Sequence, residues 1–232
     1  MKKEALRGLV RFLLHHLAQV EYQNSEWIPR SGPLLLATNH LSYVDTPLLF
    51  INPVRADITA LITDKYVNNL FMHWFTVTAG GIWIDRERAD FGALSAAREV
   101  LNKGMVLGIA PEGTRSKTGQ LQEGKPGIVL IALRTGAPIL PVGITGTAGS
   151  EKRMLTLQRP RITVRVGQPF TIPPLERGNR DEQLKTWTDE VMLRIAALLP
   201  EAYHGFYRGH PRIQELQALQ GNDPDPLRMQ AG

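Results

Sequence analysis

The sequence contains no cysteine, which excludes a thiol nucleophile, a disulfide framework and a metal site built on thiolates. It also has no run apolar enough to cross a membrane, since even the uncharged residues 66–84 include asparagine, histidine, threonine and glycine. A Gly-x-Ser-x-Gly elbow is absent as well, which argues against a serine hydrolase. The histidines show no metal-ligand spacing, so we expect no metal site.

The chain has 232 residues, of which 43% are apolar, and this is enough for one sizeable core in a single domain. Its formal net charge of +5 at pH 7 favours anionic partners such as phospholipid surfaces, phosphorylated ligands, coenzyme A or nucleic acid. The cationic side chains are dispersed along the chain instead of clustering with aromatic residues. This dispersal argues against a nucleic-acid-binding module.

Short apolar runs alternate with amphipathic stretches along most of the chain. Strands are predicted at residues 34–38, 57–63, 80–85, 105–110, 138–144 and 161–166, and helices at 3–20, 47–52, 65–77, 89–102, 125–135 and 181–198. Such alternation is typical of α/β proteins with a parallel sheet. We therefore predict a single α/β domain whose largely parallel central sheet is flanked by helices.

The two ends of the chain differ from its middle. Residues 2–20 place leucine and valine at helical spacing with lysine and arginine between them, which fits either an interfacial helix or a helix packed on the domain. The pattern does not predict a signal peptide. From residue 203 onward the sequence is rich in glycine, histidine, proline and polar residues. We predict an N-terminal amphipathic helix in 1–24, a main domain in 25–202 and a polar tail in 203–232.

The most informative pair is His40 and Asp45, a potential general base followed five positions later by a carboxylate that could orient it. An apolar run at 34–37 precedes the histidine, and Thr46 with Pro47 indicates a helix start. Such a junction lies at the carboxyl end of a strand, where open α/β sheets form their ligand crevice. The pair indicates acyl-transfer chemistry, although an aspartate before Thr-Pro is also an ordinary helix cap.

Other charged residues follow other predicted strands. Arg86 comes directly after one strand, and Glu112 and Arg115 come after the next. Since parallel strands end along one edge of a sheet, we expect these three side chains to converge on His40. The intervening helix, 89–102, completes one βαβ unit, so we also expect Arg86 and Glu112 to be neighbours.

Four sequence blocks resemble those of the glycerolipid acyltransferase family. They are Asn-His followed by Ser and Asp in residues 39–45, a glycine-rich run ending in Ile-Asp-Arg in 80–86, Pro-Glu-Gly-Thr-Arg-Ser in 111–116, and a proline within an apolar strand in 139–144. The blocks occur in the family order. One departure is Ala110, where the family commonly has an aromatic residue before the proline.

The resemblance implies a role for each matching residue. His40 would be the general base, and Asp45 would fix its tautomer and orientation. Glu112 would bind the acceptor hydroxyl or orient an arginine, and Gly113 would let the backbone approach the ligand. The other candidates are the acceptor-phosphate ligands Arg86, Arg115 and Lys125, together with Pro141 and Val142, which would line the acyl chain or serve the structure.

The implied reaction moves a fatty acyl group from an acyl thioester, either acyl-CoA or acyl carrier protein, to the free hydroxyl of 1-acylglycerol-3-phosphate, giving phosphatidic acid. It needs no metal and no cofactor beyond the donor. The resemblance also implies a cytoplasmic enzyme held peripherally on the anionic inner face of the cell membrane. Two alternatives stay open: an acyltransferase for another lysophospholipid or for glycerol phosphate, and a non-catalytic lipid-binding protein.

Overall fold

The computed structural model describes residues 2–63, 67–68, 70–84 and 89–220. Its strands are β1 (Gln19–Gln23), β2 (Leu34–Thr38), β3 (Ile58–Thr63), β4 (Ile82–Ile84), β5 (Val106–Ile109), β6 (Ile139–Thr145) and β7 (Arg161–Val166). Its helices are α1 (Lys3–Leu17), α2 (Asp45–Phe50), α3 (Leu70–Ala79), α4 (Ala89–Asn102), α5 (Gly127–Thr135), α6 (Ser150–Leu155), α7 (Arg180–Ala196) and α8 (Pro211–Gln220). Strands and helices alternate through the middle of the chain, as predicted.

In the described part of the chain, the strands form one sheet of seven in the order β1-β7-β6-β2-β5-β3-β4. All pairings are parallel except that of β6 with β7, which is antiparallel. The prediction of a single α/β domain with a largely parallel central sheet is confirmed. Ala37 of β2 lies opposite Ile109 of β5 on one side and Pro141 of β6 on the other. His40 therefore follows a central strand at the carboxyl edge of the sheet.

The strand order separates two strands that were expected to end side by side. β4 lies at the edge of the sheet, and β3 stands between it and β5. At a strand spacing of about 4.8 Å, the two ends are about 10 Å apart. Arg86 lies outside the described residues, so its expected closeness to Glu112 stays a prediction.

Helices cover both faces of the sheet, and each face has its own apolar core. Residues of β2 alternate between the two cores. Leu35 and Ala37 face the core formed with α4, α5 and α7, whereas Leu34 and Leu36 face the core formed with α1, α2 and α3. Because both faces of a parallel strand are covered, every residue of β2 is buried and the strand is apolar up to its last residue, Thr38.

We call the core formed with α4, α5 and α7 the first core, and the one formed with α1, α2 and α3 the second core. Helix α1 is an integral part of the second core. Leu6 and Leu14 are buried in it. The buried guanidinium of Arg7 donates hydrogen bonds to the backbone carbonyls of Phe50 and Asn52 at the end of α2. The helix is followed at once by β1, which pairs with β7. The N-terminal segment thus packs on the main domain, which is one of the two placements that its sequence pattern allowed. The predicted division of the chain at residue 24 stays a prediction.

The polar tail predicted for residues 203–232 lies only partly within the described residues. Within its described part, 203–220, the chain forms short 3₁₀ turns and α8, and it buries Tyr207, Ile213 and Leu216 in the first core. A few apolar anchors suffice to hold this segment on the domain. They are spaced among polar and small residues, so composition alone indicated a tail.

Candidate active site

His40 and Asp45 form a hydrogen-bonded pair at the carboxyl end of β2. Asp45 is the first residue of α2. The imidazole Nδ1–H donates to Asp45 Oδ2 at 2.8 Å, and the side chains are 26% and 2% exposed respectively. Because Nδ1 is the donor in this bond, Nε2 is the nitrogen that can accept a proton.

The same carboxylate shapes the segment between the two residues, which we call the histidine turn (residues 40–45). Asp45 Oδ2 accepts further hydrogen bonds from the backbone N–H groups of Leu41 at 2.7 Å and Ser42 at 2.8 Å. Asp45 is therefore both the partner of the imidazole and an anchor for the turn that leads into α2. Any rotation of the carboxylate would break three bonds, so the turn itself fixes the orientation of the ring.

The PEGTRS loop (residues 111–116), between β5 and α5, holds the backbone of His40 on both sides. The His40 N–H donates to Glu112 Oε1 at 2.9 Å, and the Ser116 N–H donates to the His40 carbonyl oxygen at 2.8 Å. Between these contacts Gly113 has a φ of 69°, in the left-handed region that glycine favours. The first and third sequence blocks thus meet because β2 and β5 are neighbours.

Glu112 is buried, with only 2% of its surface exposed. Its second carboxylate oxygen, Oε2, accepts hydrogen bonds from the backbone N–H and the side-chain amide of Gln122, at 3.0 and 3.2 Å. Burial raises the pKa of Glu112 above its ordinary value, and the bonds from His40 and Gln122 oppose that rise. The contacts therefore connect the glutamate to the backbone of His40, while its expected contact with an acceptor hydroxyl or an arginine stays a prediction.

Two of the three predicted phosphate ligands are described, one within the PEGTRS loop and one against it. The guanidinium of Arg115 stacks on the ring of Tyr43, 3.6 Å from its centroid, and Nη2 donates to the tyrosine hydroxyl at 2.8 Å. The side chain of Lys125 lies against Gly113, since a Cβ on that glycine would be 3.1 Å from the lysine Nζ. Cations on one loop can bind a shared anion. The third predicted ligand, Arg86, lies outside the described residues.

A model of the family described as Acyltransferase matches residues 19–145, which is more than half of the chain. The chain belongs to the acyltransferase family. The match runs from β1 to the end of β6 and includes both the histidine turn and the PEGTRS loop. The family that the four sequence blocks predicted is thereby confirmed.

Curated relatives of this acyltransferase-family chain carry a narrower name, 1-acyl-sn-glycerol-3-phosphate acyltransferase. One from Borreliella burgdorferi is 32% identical over 125 residues, covering 53% of this chain and 50% of the relative. Another, from Cocos nucifera, is 32% identical over 168 residues, covering 71% of this chain and 53% of the relative. The chain thus spans about half the length of these two proteins.

A solved structure has the same fold. It is the crystal structure of the 1-acyl-sn-glycerophosphate acyltransferase PlsC from Thermotoga maritima, with a TM-score of 0.57 and 23% sequence identity. The likeness covers 82% of this chain and 80% of that one. It therefore includes most of the sheet and helices described above.

Pro141 and Val142 belong to the interior of this acyltransferase-family fold. They lie in β6, opposite Ala37 and Thr38 of β2, and both are buried. Val142 packs in the second apolar core. Their position supports the structural one of the two predicted roles, since they lie beside the strand that leads to the histidine turn.

Asn39, which the sequence analysis gave no role, joins two strands at the site. Its buried side chain donates to the carbonyl oxygen of Ile144 at 2.9 Å and accepts from the N–H of the same residue at 2.8 Å. The amide thereby replaces a backbone pair at the end of β2 and β6. This holds the start of the histidine turn against β6.

Three more residues that contact the site were missed: Ser42, Gln122 and Glu151. Ser42 belongs to the first sequence block, so its place near the site could have been predicted, although its contact with Glu151 could not. Gln122 and Glu151 lie outside all four blocks and reach the site through contacts with Glu112 and Ser42. No periodicity or local motif predicts such contacts, because they depend on the packing of distant loops.

Proposed function

We propose that this protein transfers a fatty acyl group from an acyl thioester to the free hydroxyl of 1-acylglycerol-3-phosphate, giving phosphatidic acid for phospholipid synthesis. The observation that carries the proposal is the His40–Asp45 pair, whose histidine backbone is held on both sides by the PEGTRS loop. The names of the relatives support the choice of acceptor. Membership of the acyltransferase family supports the reaction class.

In the proposed reaction, His40 Nε2 takes the proton of the acceptor hydroxyl as its oxygen attacks the carbonyl carbon of the thioester. The carboxylate of Asp45 favours the imidazolium that forms. The tetrahedral intermediate then collapses with cleavage of the C–S bond. The leaving thiolate takes the proton back from the imidazolium, so the products are an ester and a free thiol, and the histidine is neutral again.

The acceptor phosphate would be bound by Arg115 and Lys125, with Arg86 as a further ligand. A guanidinium fork matches two phosphate oxygens and stays charged at every working pH, and an ammonium adds a second point of attraction. Arg115 belongs to the loop that holds the catalytic histidine, and Lys125 lies against that loop. An acceptor anchored there by its phosphate would present its glycerol hydroxyl near His40. The donor would be acyl-CoA or acyl carrier protein, with no further cofactor.

The experiment that tests this proposal measures free thiol released from a long-chain acyl-CoA, with and without lysophosphatidate. We expect acceptor-dependent release by the wild-type protein and a loss of roughly a hundred- to ten-thousand-fold in His40→Ala. Thermal unfolding of the variant shows whether the fold is retained. Thiol release that is independent of the acceptor would indicate a thioesterase. Release that occurs only with glycerol phosphate or another lysophospholipid would mean that this molecule, and not lysophosphatidate, is the acceptor.

We also propose that the protein docks on an anionic bilayer, which would place it peripherally on the inner face of the cell membrane. In the described ranges, no helix combines the length and apolar character needed to cross a membrane. Large apolar side chains are instead exposed on α1, on the neighbouring α3, and at and just after the end of α6. The set is Leu9, Phe12, Leu13, Leu70, Trp74, Val77, Leu155 and Leu157, here called the apolar surface.

Cationic side chains accompany the apolar surface. Arg159 donates from its guanidinium to the carbonyl oxygen of His15 at the end of α1, so the segment after α6 is tied to that helix. Arg161 begins β7 and, because β7 is antiparallel to β6, lies at the edge where β6 ends. This is the edge that carries His40. The apolar surface would therefore bring the active site to the lipid, where the acceptor is dissolved.

Cosedimentation with vesicles tests the docking. Phe12→Ser and Leu155→Ser should each lower binding to phosphatidylglycerol vesicles by roughly tenfold, since each removes one large apolar side chain that the lipid would bury. Leu219→Ser is the matched control, because that leucine is 69% exposed on α8, which packs on the opposite face of the sheet. Binding should weaken with salt and with phosphatidylcholine in place of phosphatidylglycerol. Equal losses of vesicle binding in all three variants would contradict docking through the apolar surface.

A further inference from the structure

Glu151, on α6, reaches the histidine turn from another part of the chain. Its Oε1 accepts a hydrogen bond from the Ser42 hydroxyl at 2.5 Å and another from the Tyr43 N–H at 3.2 Å. Ser42 is 2% exposed, so its hydroxyl has little access to water as an alternative partner. One carboxylate oxygen thus holds two consecutive residues of the turn.

The contacts of the turn fall into two groups. Its inner part is held by groups already assigned to the site: Asp45 accepts from residues 40, 41 and 42, and Glu112 accepts from the His40 N–H. Its outer part consists of Ser42, Tyr43 and Val44. There the Ser42 hydroxyl accepts from the Val44 N–H at 3.0 Å and donates to Glu151. The outer part is therefore anchored by a residue outside the His40–Asp45 pair.

Tyr43 connects Glu151 to Arg115, one of the proposed phosphate ligands. Its backbone is held by Glu151, and its ring carries the guanidinium of Arg115 by stacking and by a hydrogen bond of 2.8 Å. The tyrosine is 47% exposed, so its ring is not enclosed by a core that would hold it independently. A shift of the Tyr43 backbone would displace the guanidinium while leaving the bond between His40 and Asp45 in place.

We propose that Glu151 is a positioning residue that sets the affinity for the phosphate of the acceptor by holding Tyr43 beneath Arg115. The inference rests on the function proposed above, in which Arg115 binds that phosphate. It predicts a division between kinetic constants. Loss of Glu151 raises KM for the acceptor and leaves kcat nearly unchanged, because the phosphate contact is made equally in the ground state and the transition state and so affects binding and not the chemical step.

The test compares Glu151→Ala, Glu151→Gln, Tyr43→Leu and the double variant Glu151→Ala/Tyr43→Leu. Glutamine keeps a carbonyl oxygen that can accept both hydrogen bonds, whereas alanine has no acceptor. Glu99→Ala, on the exposed side of α4, is the matched control. Initial rates of thiol release are measured against lysophosphatidate concentration at saturating acyl-CoA, and thermal unfolding is recorded for each variant.

We expect Glu151→Ala to raise KM for lysophosphatidate roughly tenfold, as for the loss of one charge-assisted hydrogen bond, with kcat within about threefold of wild type. Glu151→Gln and Glu99→Ala should stay within about threefold in both constants. Tyr43→Leu should raise KM as well, and the double variant should not exceed it, since both changes act through the same contact. Tyr43→Leu leaves Glu151 intact, so the test does not depend on the folding of Glu151→Ala.

Two results would overturn the inference. One is a fall in kcat with KM unchanged in Glu151→Ala, which would mean that Glu151 supports the catalytic pair. The other is additive increases in KM in the double variant, which would mean that Glu151 and Tyr43 act independently. A wild-type protein that releases no thiol in response to lysophosphatidate would overturn the proposed function instead, and this inference with it.

Discussion

The two edges of the central sheet use buried charged groups in opposite ways. At the amino edge, the buried guanidinium of Arg55 donates to both carboxylate oxygens of Asp57, at 2.7 and 2.6 Å. It also donates to the backbone carbonyls of Pro29, Gly32 and Gly104, which precede β2 and β5. Every nitrogen of the guanidinium is thus engaged, and the connections before three strands are joined by one side chain.

At the carboxyl edge, the buried carboxylates hold His40 through one ring nitrogen and through its backbone N–H. Asp45 and Glu112 fix the ring and the backbone of His40, and this leaves Nε2 of the imidazole as the acceptor for a proton. Arg115 and Lys125 lie nearby with part of their surface exposed. The comparison teaches that a side chain with all its nitrogens hydrogen-bonded serves the stability of the fold. A network that fixes a ring but leaves one of its nitrogens without a bond lets that nitrogen react with a substrate.

The largest expected effect lies at the carboxyl edge, in Asp45→Asn. The amide can keep an oxygen toward the turn but removes the charge that favours the imidazolium, so kcat for thiol release should fall by roughly a thousandfold or more. The free energy of unfolding should change by less than about 2 kcal/mol, because the hydrogen bonds to the turn can be retained. Kinetics and urea unfolding measure the two. If Asp45→Asn lost stability but kept kcat, the carboxyl edge would serve stability as the amino edge does, and the contrast would be contradicted.

The next effect lies at the amino edge, in Arg55→Ala. Removing the guanidinium leaves three backbone carbonyls and Asp57 without their donor, so we expect a loss of about 3 to 5 kcal/mol in the free energy of unfolding. At a temperature where the variant is folded, kcat should stay within about threefold of wild type. Arg55→Lys is the control: it keeps the charge but cannot reach all the acceptors, and it should lose less. A fall in kcat without a fall in stability would contradict this assignment.

How much of each strand and helix could be predicted depends on how clearly its local sequence pattern shows the structure. β2, β6 and β7 were predicted within one residue. β2 and β6 are covered on both faces and have mostly apolar sequences, whereas β7 alternates apolar with polar residues. β1 was missed, since its sequence is half exposed at the edge of the sheet and continues the apolar spacing of α1. α6 and α8 were missed because one is short and the other has few apolar positions.

The candidate site divides in the same way. His40, Asp45, Glu112 and Arg115 could be found because each lies in a block of residues that are close together in the sequence. Their contacts could not, since the bond between Glu112 and His40 spans 72 residues and depends on β2 and β5 being neighbours. Glu151 has no local signal of any kind: it lies 109 residues from Ser42. Sequence thus predicted the groups that do the proposed chemistry but not those that hold them.

A smaller effect should appear in the pH dependence of Asp57→Asn. The hydrogen bonds from Arg55 hold the pKa of Asp57 below its ordinary value of 3.8, so the ionised carboxylate stabilises the fold above that pH. The variant should be less stable at neutral pH by less than about 1 kcal/mol, because the carboxylate is partly exposed. As the pH falls through the depressed pKa, the difference from wild type should disappear. Urea unfolding at several pH values measures it, and a difference that grows toward low pH would contradict the ion pair.

The smallest effect, and the one with the opposite sign, is expected for Glu112→Gln. Burial raises the pKa of Glu112 above its ordinary value of 4.5, so in the window above that pH the native state holds a proton that the unfolded state has released. The wild-type contribution is therefore present below 4.5 and is lost as the pH rises through the elevated pKa. Glutamine does not titrate, so its stability relative to wild type should improve as the pH rises from 4.5 toward 7, whatever constant cost its amide imposes beside Gln122. Urea unfolding of Glu112→Gln and Asp57→Asn side by side should give differences that change in opposite directions with pH. If both changed in the same direction, the carboxylates at the two edges would share one environment, and the contrast between a saturated and an open edge would fail.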